Sequence, residues 1–138
     1  MPDTARTLMN RFVEFINSAD EDLAREVISA DAVFHAPTHP QPLIGPAGYL
    51  EVITTMRTAF SDVAWTLEEM VTDGKTVAAR FSMRGTHDGP FFGVPASGNQ
   101  IAVQAMNFYD LADGKIVGER AQPDLLGLMQ QIGAIPAP

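Results

Sequence analysis

The chain has 138 residues, 46% of them hydrophobic and 19% charged, a formal net charge of −8 and no cysteine. That length suits one domain with its own packed core, and an acidic surface with only nine Lys and Arg argues against a nucleic-acid partner. The absent cysteines exclude a disulfide, a thiolate nucleophile and Cys-ligated zinc.

No apolar run reaches the roughly 18 residues of a membrane span, and no charged segment followed by an apolar stretch opens the chain. A soluble, cytoplasmic protein without a membrane partner is therefore expected. Leu8, Phe12, Phe15 and Ile16 recur at helical spacing, which predicts a helix over residues 4–17, capped by Asp3. Asp20 caps a second helix, with Glu21 and Asp22 complementing its dipole and Leu23, Val27 and Ile28 turned inward. "DAVFHAP", residues 31–37, predicts a strand with Val33 and His35 on one face and Ala32 and Phe34 on the other. The Pro- and Gly-rich stretch 35–48 reads as an ordered loop. Gly45 and Pro46 then open a third helix striped by Tyr49, Ile53, Met56 and Phe60.

From Val63 onward the apolar period changes from 3.6 to 2, marked by Trp65 and Leu67, by Val77, Ala79, Phe81 and Met83, and by Ile101, Val103 and Ala105. Two Asp-Gly turns, at 73–74 and 113–114, join strands 63–72 to 75–86 and 100–111 to 115–121, with positive φ expected at both central residues. A long loop between the hairpins makes the four strands an antiparallel meander. A last helix runs from about Pro123 to Ile132 on the face of Leu125, Leu128, Met129 and Ile132, with Gly133 beyond its end. The order α-α-β-α-β-β-β-β-α predicts an α+β fold: a strongly curved, mostly antiparallel sheet wrapped around helices, with room for an apolar pocket between them.

Three stretches carry a resemblance: "RGTHDGPFFGVPASGNQI" (84–101), "DLADGKIVGER" (110–120) and "PDLLGLMQQIG" (123–133). They resemble the SnoaL-like polyketide cyclase branch of the nuclear-transport-factor-2-like superfamily. The first is similar to its Gly-Thr-His-x-Gly-x-x-x-Gly-x-Pro loop and the last to its Leu-x-Gln-Leu-Gly ending. The resemblance covers residues 1–138 as a single domain. It implies a cone-shaped α+β barrel with an apolar mouth, no metal and no organic cofactor, and a homodimer or higher homo-oligomer. It also implies intramolecular aldol closure of an aromatic polyketide ester. The family's acid/base Asp falls on Ala121 and its assisting His on Asn107, so neither is retained; a Glu and a Trp of the family fall on Gly118 and Arg120.

Two residues are candidates to replace the lost pair. If Ala121 keeps the pocket-facing position, Glu119 faces the same cavity, where desolvation raises a carboxyl toward a useful base; the alternative is a Glu at the mouth paired with Arg120 or water. His35 ends the first strand beside the Pro-rich loop and exchanges protons near neutrality; the alternative is a structural His bonded to a backbone carbonyl. His39 reads as a solvated loop residue and His87 as a hydrogen-bonding anchor of its loop, and the three His lack a metal-ligand spacing. Asp124 lies where a carboxylate favours the helix dipole. Asn107 either hydrogen-bonds a substrate carbonyl or enolate or bonds a neighbour. Phe12, Phe15, Met56, Phe60, Trp65 and Phe92, with Ala121, are expected to wall a pocket for a hydrophobic small molecule. Arg80 and Arg84 share a strand face opposite Phe81 and Met83. Neither a nucleophile elbow nor a phosphate loop occurs.

The expected function is thus cofactor-free general acid/base chemistry of SnoaL-like, lyase or isomerase type, on an apolar carbonyl compound. The alternatives are a non-catalytic binding protein for a hydrophobic small molecule and an epoxide-hydrolase-like enzyme.

Overall fold

The structure, a computed structural model, describes residues 2–138, with side chains from residue 4 onward; the cap expected of Asp3 falls on a side chain outside the described residues. Helix α1, Pro2–Ser18, buries Phe12, Phe15 and Ile16 of the predicted stripe, but Met9 is buried with them and the expected Leu8 is only half-buried. Asp20 caps α2, Glu21–Val27, by accepting from the N–H groups of Asp22 and Leu23 at 2.9 and 3.1 Å. Strand β1, Ile28–His35, follows without a loop. Ile28 therefore belongs to the strand and not to the helix, although it is buried as expected.

The Pro-rich loop holds an unexpected two-residue strand, β2, Leu43–Ile44, antiparallel to β1. Helix α3, Gly45–Ala59, begins at a glycine for a steric reason: φ is +70° and an added Cβ would lie 2.6 Å from the Ala30 carbonyl oxygen. The meander consists of β3 (Ala64–Thr72), β4 (Thr76–Thr86), β5 (Gln100–Ala112) and β6 (Lys115–Pro123), and α4, Leu125–Gln131, closes the chain. Among the described residues no helix is long and apolar enough to cross a membrane.

The sheet order is β2-β1-β6-β5-β4-β3, with only β1 and β6 parallel. This is the α+β architecture the sequence predicts, with two differences: β2 is added, and β2 and β3 remain edges, so the sheet does not close into a barrel. Helices pack over its inward face instead. One core joins α1, α2 and α3 to Phe34, Phe81, Tyr109 and Ile116; a second joins the end of α3 and α4 to Met83, Phe91, Ile101 and Val103.

Two local predictions need correction. The turn at Asp113–Gly114 has positive φ at both residues, 53° and 74°, whereas at 73–74 only Gly74 does, at 96°. There Asp73 instead accepts from the N–H groups of Lys75 and Thr76, at 2.9 and 2.8 Å, and organises a longer loop. In β6 the register shifts, Asp110 opposing Gly118 but Leu111 opposing Ile116. The extra residue makes a bulge, so Ile116 turns inward in place of Val117, while Glu119, Ala121 and Pro123 keep the inward face.

Candidate active site

Between the two cores lies a cavity of about 120 Å³, walled largely by apolar side chains of β1, α3, β3, β4 and β5 and by Phe91. Its rim includes the exposed residues Pro37, Gln104 and Asp124. Its polar groups are few, and four of them cluster at β5, β6 and α3: Asn107, Tyr109, Glu119 and Tyr49.

The antiparallel ladder of β5 and β6 explains the cluster. Asn107 is directly opposite Ala121, and Tyr109 directly opposite Glu119; all four line the cavity, because residues two apart on a strand share a face. Tyr49 arrives from α3 and donates its hydroxyl to Glu119 Oε2 at 3.2 Å. The Asn107 amide donates to the Tyr109 hydroxyl at 3.0 Å, and its carbonyl accepts from the Gln122 N–H at 3.1 Å.

Glu119 is 3% exposed. Burial pushes its carboxyl up to about 7, although hydrogen bonds from Tyr109 and Tyr49 work in the opposite direction. Burial, reinforced by the adjacent Glu119, holds both phenols well above their ordinary range. They are neutral donors, and Glu119 is the group that exchanges a proton near neutrality.

Of the residues predicted for the site, Glu119, Asn107, Met56, Trp65 and Ala121 line the cavity. Phe12 and Phe15 stand one layer behind it: Phe12 packs edge-on against both tyrosines, with ring centroids 5.3 Å apart in each case. Phe60 is also outside the lining, buried in the second core against His87 and Phe91. Phe92 is displaced by its turn. Phe91 and Val94 exchange two backbone hydrogen bonds of 2.9 Å, and Phe92 and Gly93 between them have φ of 45° and 81°. That two-residue turn sends Phe91 into the cavity and leaves Phe92 56% exposed.

His35 does not reach the cavity. Alternation along β1 buries Ala32 and Phe34 and leaves His35 on the exposed face. Arg120 is likewise no partner of Glu119: it points to the opposite face, where it pairs with Asp110 at 2.7 and 3.2 Å and lies over the Phe108 ring. Asp124, at the rim, is the N-cap of α4, and its Oδ1 accepts from the Gly127 N–H at 2.8 Å. His87 anchors its loop, with Nδ1 accepting from the Ser97 N–H at 3.2 Å. His39 is partly buried and sits 3.7 Å from Glu51. Among the described residues no group of three or more His, Cys, Asp or Glu is placed to hold a metal ion.

Sequence reasoning missed Tyr49 and Tyr109 as site residues. Both carried a usable signal: Tyr49 on the inward stripe of α3, and Tyr109 two residues from Asn107 on the same strand face.

Residues 6–132 match the SnoaL-like polyketide cyclase family. The chain belongs to that family. It is 32% identical over 128 residues to the aklanonic acid methyl ester cyclase DnrD of Streptomyces peucetius, covering 91% of this chain and 88% of that protein. It is 26% identical over 122 residues to the nogalonic acid methyl ester cyclase of Streptomyces nogalater, covering 88% and 91% of the two chains. Among solved structures, TsrD from Streptomyces laurentii superposes with a TM-score of 0.87 at 26% identity over 98% of each chain. IdmH from Streptomyces antibioticus gives 0.81 at 31% identity, over 93% of this chain and 97% of that one.

Within this SnoaL-like chain, the positions to which the resemblance assigns the family Asp and His, Ala121 and Asn107, form one cross-strand pair. The next same-face pair is Glu119 with Tyr109. Titratable chemistry is therefore present in the cavity, one same-face step, about 7 Å, further along the ladder.

Proposed function

We propose that this protein is a cofactor-free polyketide cyclase-like enzyme in which Glu119 replaces the missing Asp as the acid/base group. The observation that carries this reading is the Tyr109–Glu119 pair, placed on the cavity face directly beside the Asn107–Ala121 pair. A carboxyl poised near 7 divides its population between base and acid at neutral pH, which general acid/base catalysis requires.

The substrate is an apolar carbonyl compound of the kind for which the relatives are named, a methyl ester such as aklanonic acid methyl ester. The Glu119 carboxylate takes a proton from the carbon α to a carbonyl, leaving an enolate. The enolate carbon attacks a second carbonyl of the same molecule, a C–C bond forms, and the carbonyl π pair becomes an alkoxide. The protonated Glu119 returns its proton to that alkoxide, so the product is an isomer of the substrate. Asn107, facing the cavity, supplies a hydrogen-bond donor for the enolate oxygen.

The apolar face outside the sheet supports a homodimer: Met106 and Phe108 are 65% and 52% exposed on adjacent outward positions of β5. Sedimentation velocity of Phe108→Glu tests it; a wild-type dimer that becomes a monomer is the expected result.

Consumption of aklanonic acid methyl ester by the wild type, Glu119→Gln and His35→Ala tests the catalytic reading. Loss of turnover of roughly a hundredfold or more in Glu119→Gln, with His35→Ala unaffected, is expected. Undiminished turnover in Glu119→Gln contradicts it. The second reading, a binder of hydrophobic molecules without turnover, is favoured by the loss of both family residues at 121 and 107. It predicts tight binding of the ester with no consumption in any variant.

A further inference from the structure

The Tyr109 hydroxyl has two in-plane positions for its hydrogen, and the structure restricts the choice. The Gln122 N–H lies 3.1 Å from Asn107 Oδ1, which fixes the amide orientation, since a flipped amide would set N–H against N–H. Asn107 Nδ2 therefore faces Tyr109, and it donates to the phenolic oxygen at 3.0 Å. That donor occupies one in-plane side of the oxygen, so the phenolic hydrogen takes the other, from which it serves the hydrogen bond between Tyr109 and its cross-strand partner Glu119.

We infer that Asn107 is a positioning residue: held by the Gln122 backbone, it turns the Tyr109 hydrogen toward Glu119 and gives the carboxyl a fixed second donor beside Tyr49. This inference deepens the assignment of Glu119 as acid/base group and rests on it for its catalytic meaning. The titratable groups at Glu119 are Tyr49 from α3 and Tyr109 from β5, while its partner on β1 is the apolar Phe34. Each donor favours the ionised carboxylate and opposes burial. Without the Asn107 donor, the Tyr109 hydrogen is free to turn away, and Glu119 holds its own proton more tightly.

The test is a ¹³C NMR titration of the Glu119 side-chain carboxyl, with no substrate present, in the wild type, Asn107→Leu, Tyr109→Phe and the double variant. Asn107→Leu and Tyr109→Phe are each expected to raise the midpoint by about half to one pH unit. The double variant should move it no further than Tyr109→Phe alone, because Asn107 acts on the Glu119 proton only through Tyr109. If Asn107→Leu fails to fold, Asn107→Ala carries the same expectation. An unmoved midpoint in the folded Asn107 variant beside a raised one in Tyr109→Phe overturns the positioning role and leaves Glu119 as the base. Additive shifts in the double variant also overturn it. Failure of the parent reading has a different signature: turnover retained by Glu119→Gln, whatever the midpoints.

Discussion

The Tyr49 hydroxyl on α3 lies 3.2 Å from Glu119 Oε2 on β6, and both side chains are buried. This bond ties the helix to the sheet through a group whose charge depends on pH. A hydrogen bond to a charged group contributes roughly 1.5–3 kcal/mol, about twice a neutral one. Tyr49→Phe is therefore expected to cost more stability at pH 8, where Glu119 is largely ionised, than at pH 5. Urea unfolding at the two pH values measures the difference, and the Glu119 midpoint should rise in the same variant.

Glu119 also links folding to pH on its own account. Its folded-state value, about 7, lies above its ordinary one, so between the two the folded state binds more protons than the unfolded state. Stability then falls as pH rises through that window, by roughly 3 kcal/mol in all. Glu119→Gln carries no such proton, so its stability should be flatter between pH 4.5 and pH 8 and should exceed that of the wild type at the upper end. Chemical denaturation across that range checks it.

The rim residue Asp124 is a cap in this structure, and its glycine partner reports on that role. A Cβ at Gly127 would stand 2.3 Å from Asp124 Oδ2, so Gly127→Ala must displace the carboxylate and loosen the first turn of α4. A loss of about 1–2 kcal/mol is expected. Asp124→Asn keeps a capping oxygen and should leave both stability and turnover nearly unchanged. A large loss of turnover in folded Asp124→Asn would give that carboxylate a chemical role.

Ala121 lies between the rim and Glu119 on the same strand face, next to Pro123. In the proposed function a substrate passes Ala121 to reach the deeper carboxyl, and the small side chain leaves that path open. Ala121→Leu fills that path, and a rise in KM of tenfold or more is expected for aklanonic acid methyl ester, with a melting temperature close to the wild type. Unchanged KM would mean that the substrate approaches Glu119 by another route.

Much of this was legible in the sequence because it depends on local rules. Apolar period, the Asp20 cap, and Gly45 with Pro46 specify elements through forces that act within a few residues, and the strand alternation that put Glu119 beside Ala121 is of the same kind. What escaped depended on relations between distant segments. The Val117 bulge is a mismatch with Leu111, visible only once β5 and β6 are paired. Tyr49 joins the site because α3 packs on β1 and its tyrosine reaches Glu119 on the neighbouring β6. His35 is separated from the cavity by strand parity: its alternation was readable, but which face was inward depended on the helices packed against Ala32 and Phe34. Phe91 takes the cavity position expected of Phe92 because a two-residue turn with positive φ decides which ring points inward.

The proposed chemistry requires that a carboxyl inside the cavity exchange its proton near neutrality. The ¹³C-detected titration of Glu119 in the wild-type protein tests it most directly, assigned by the loss of its signal in Glu119→Gln. One transition with a midpoint at about 7 is expected. A midpoint in the ordinary glutamate range, near 4.3, would contradict it.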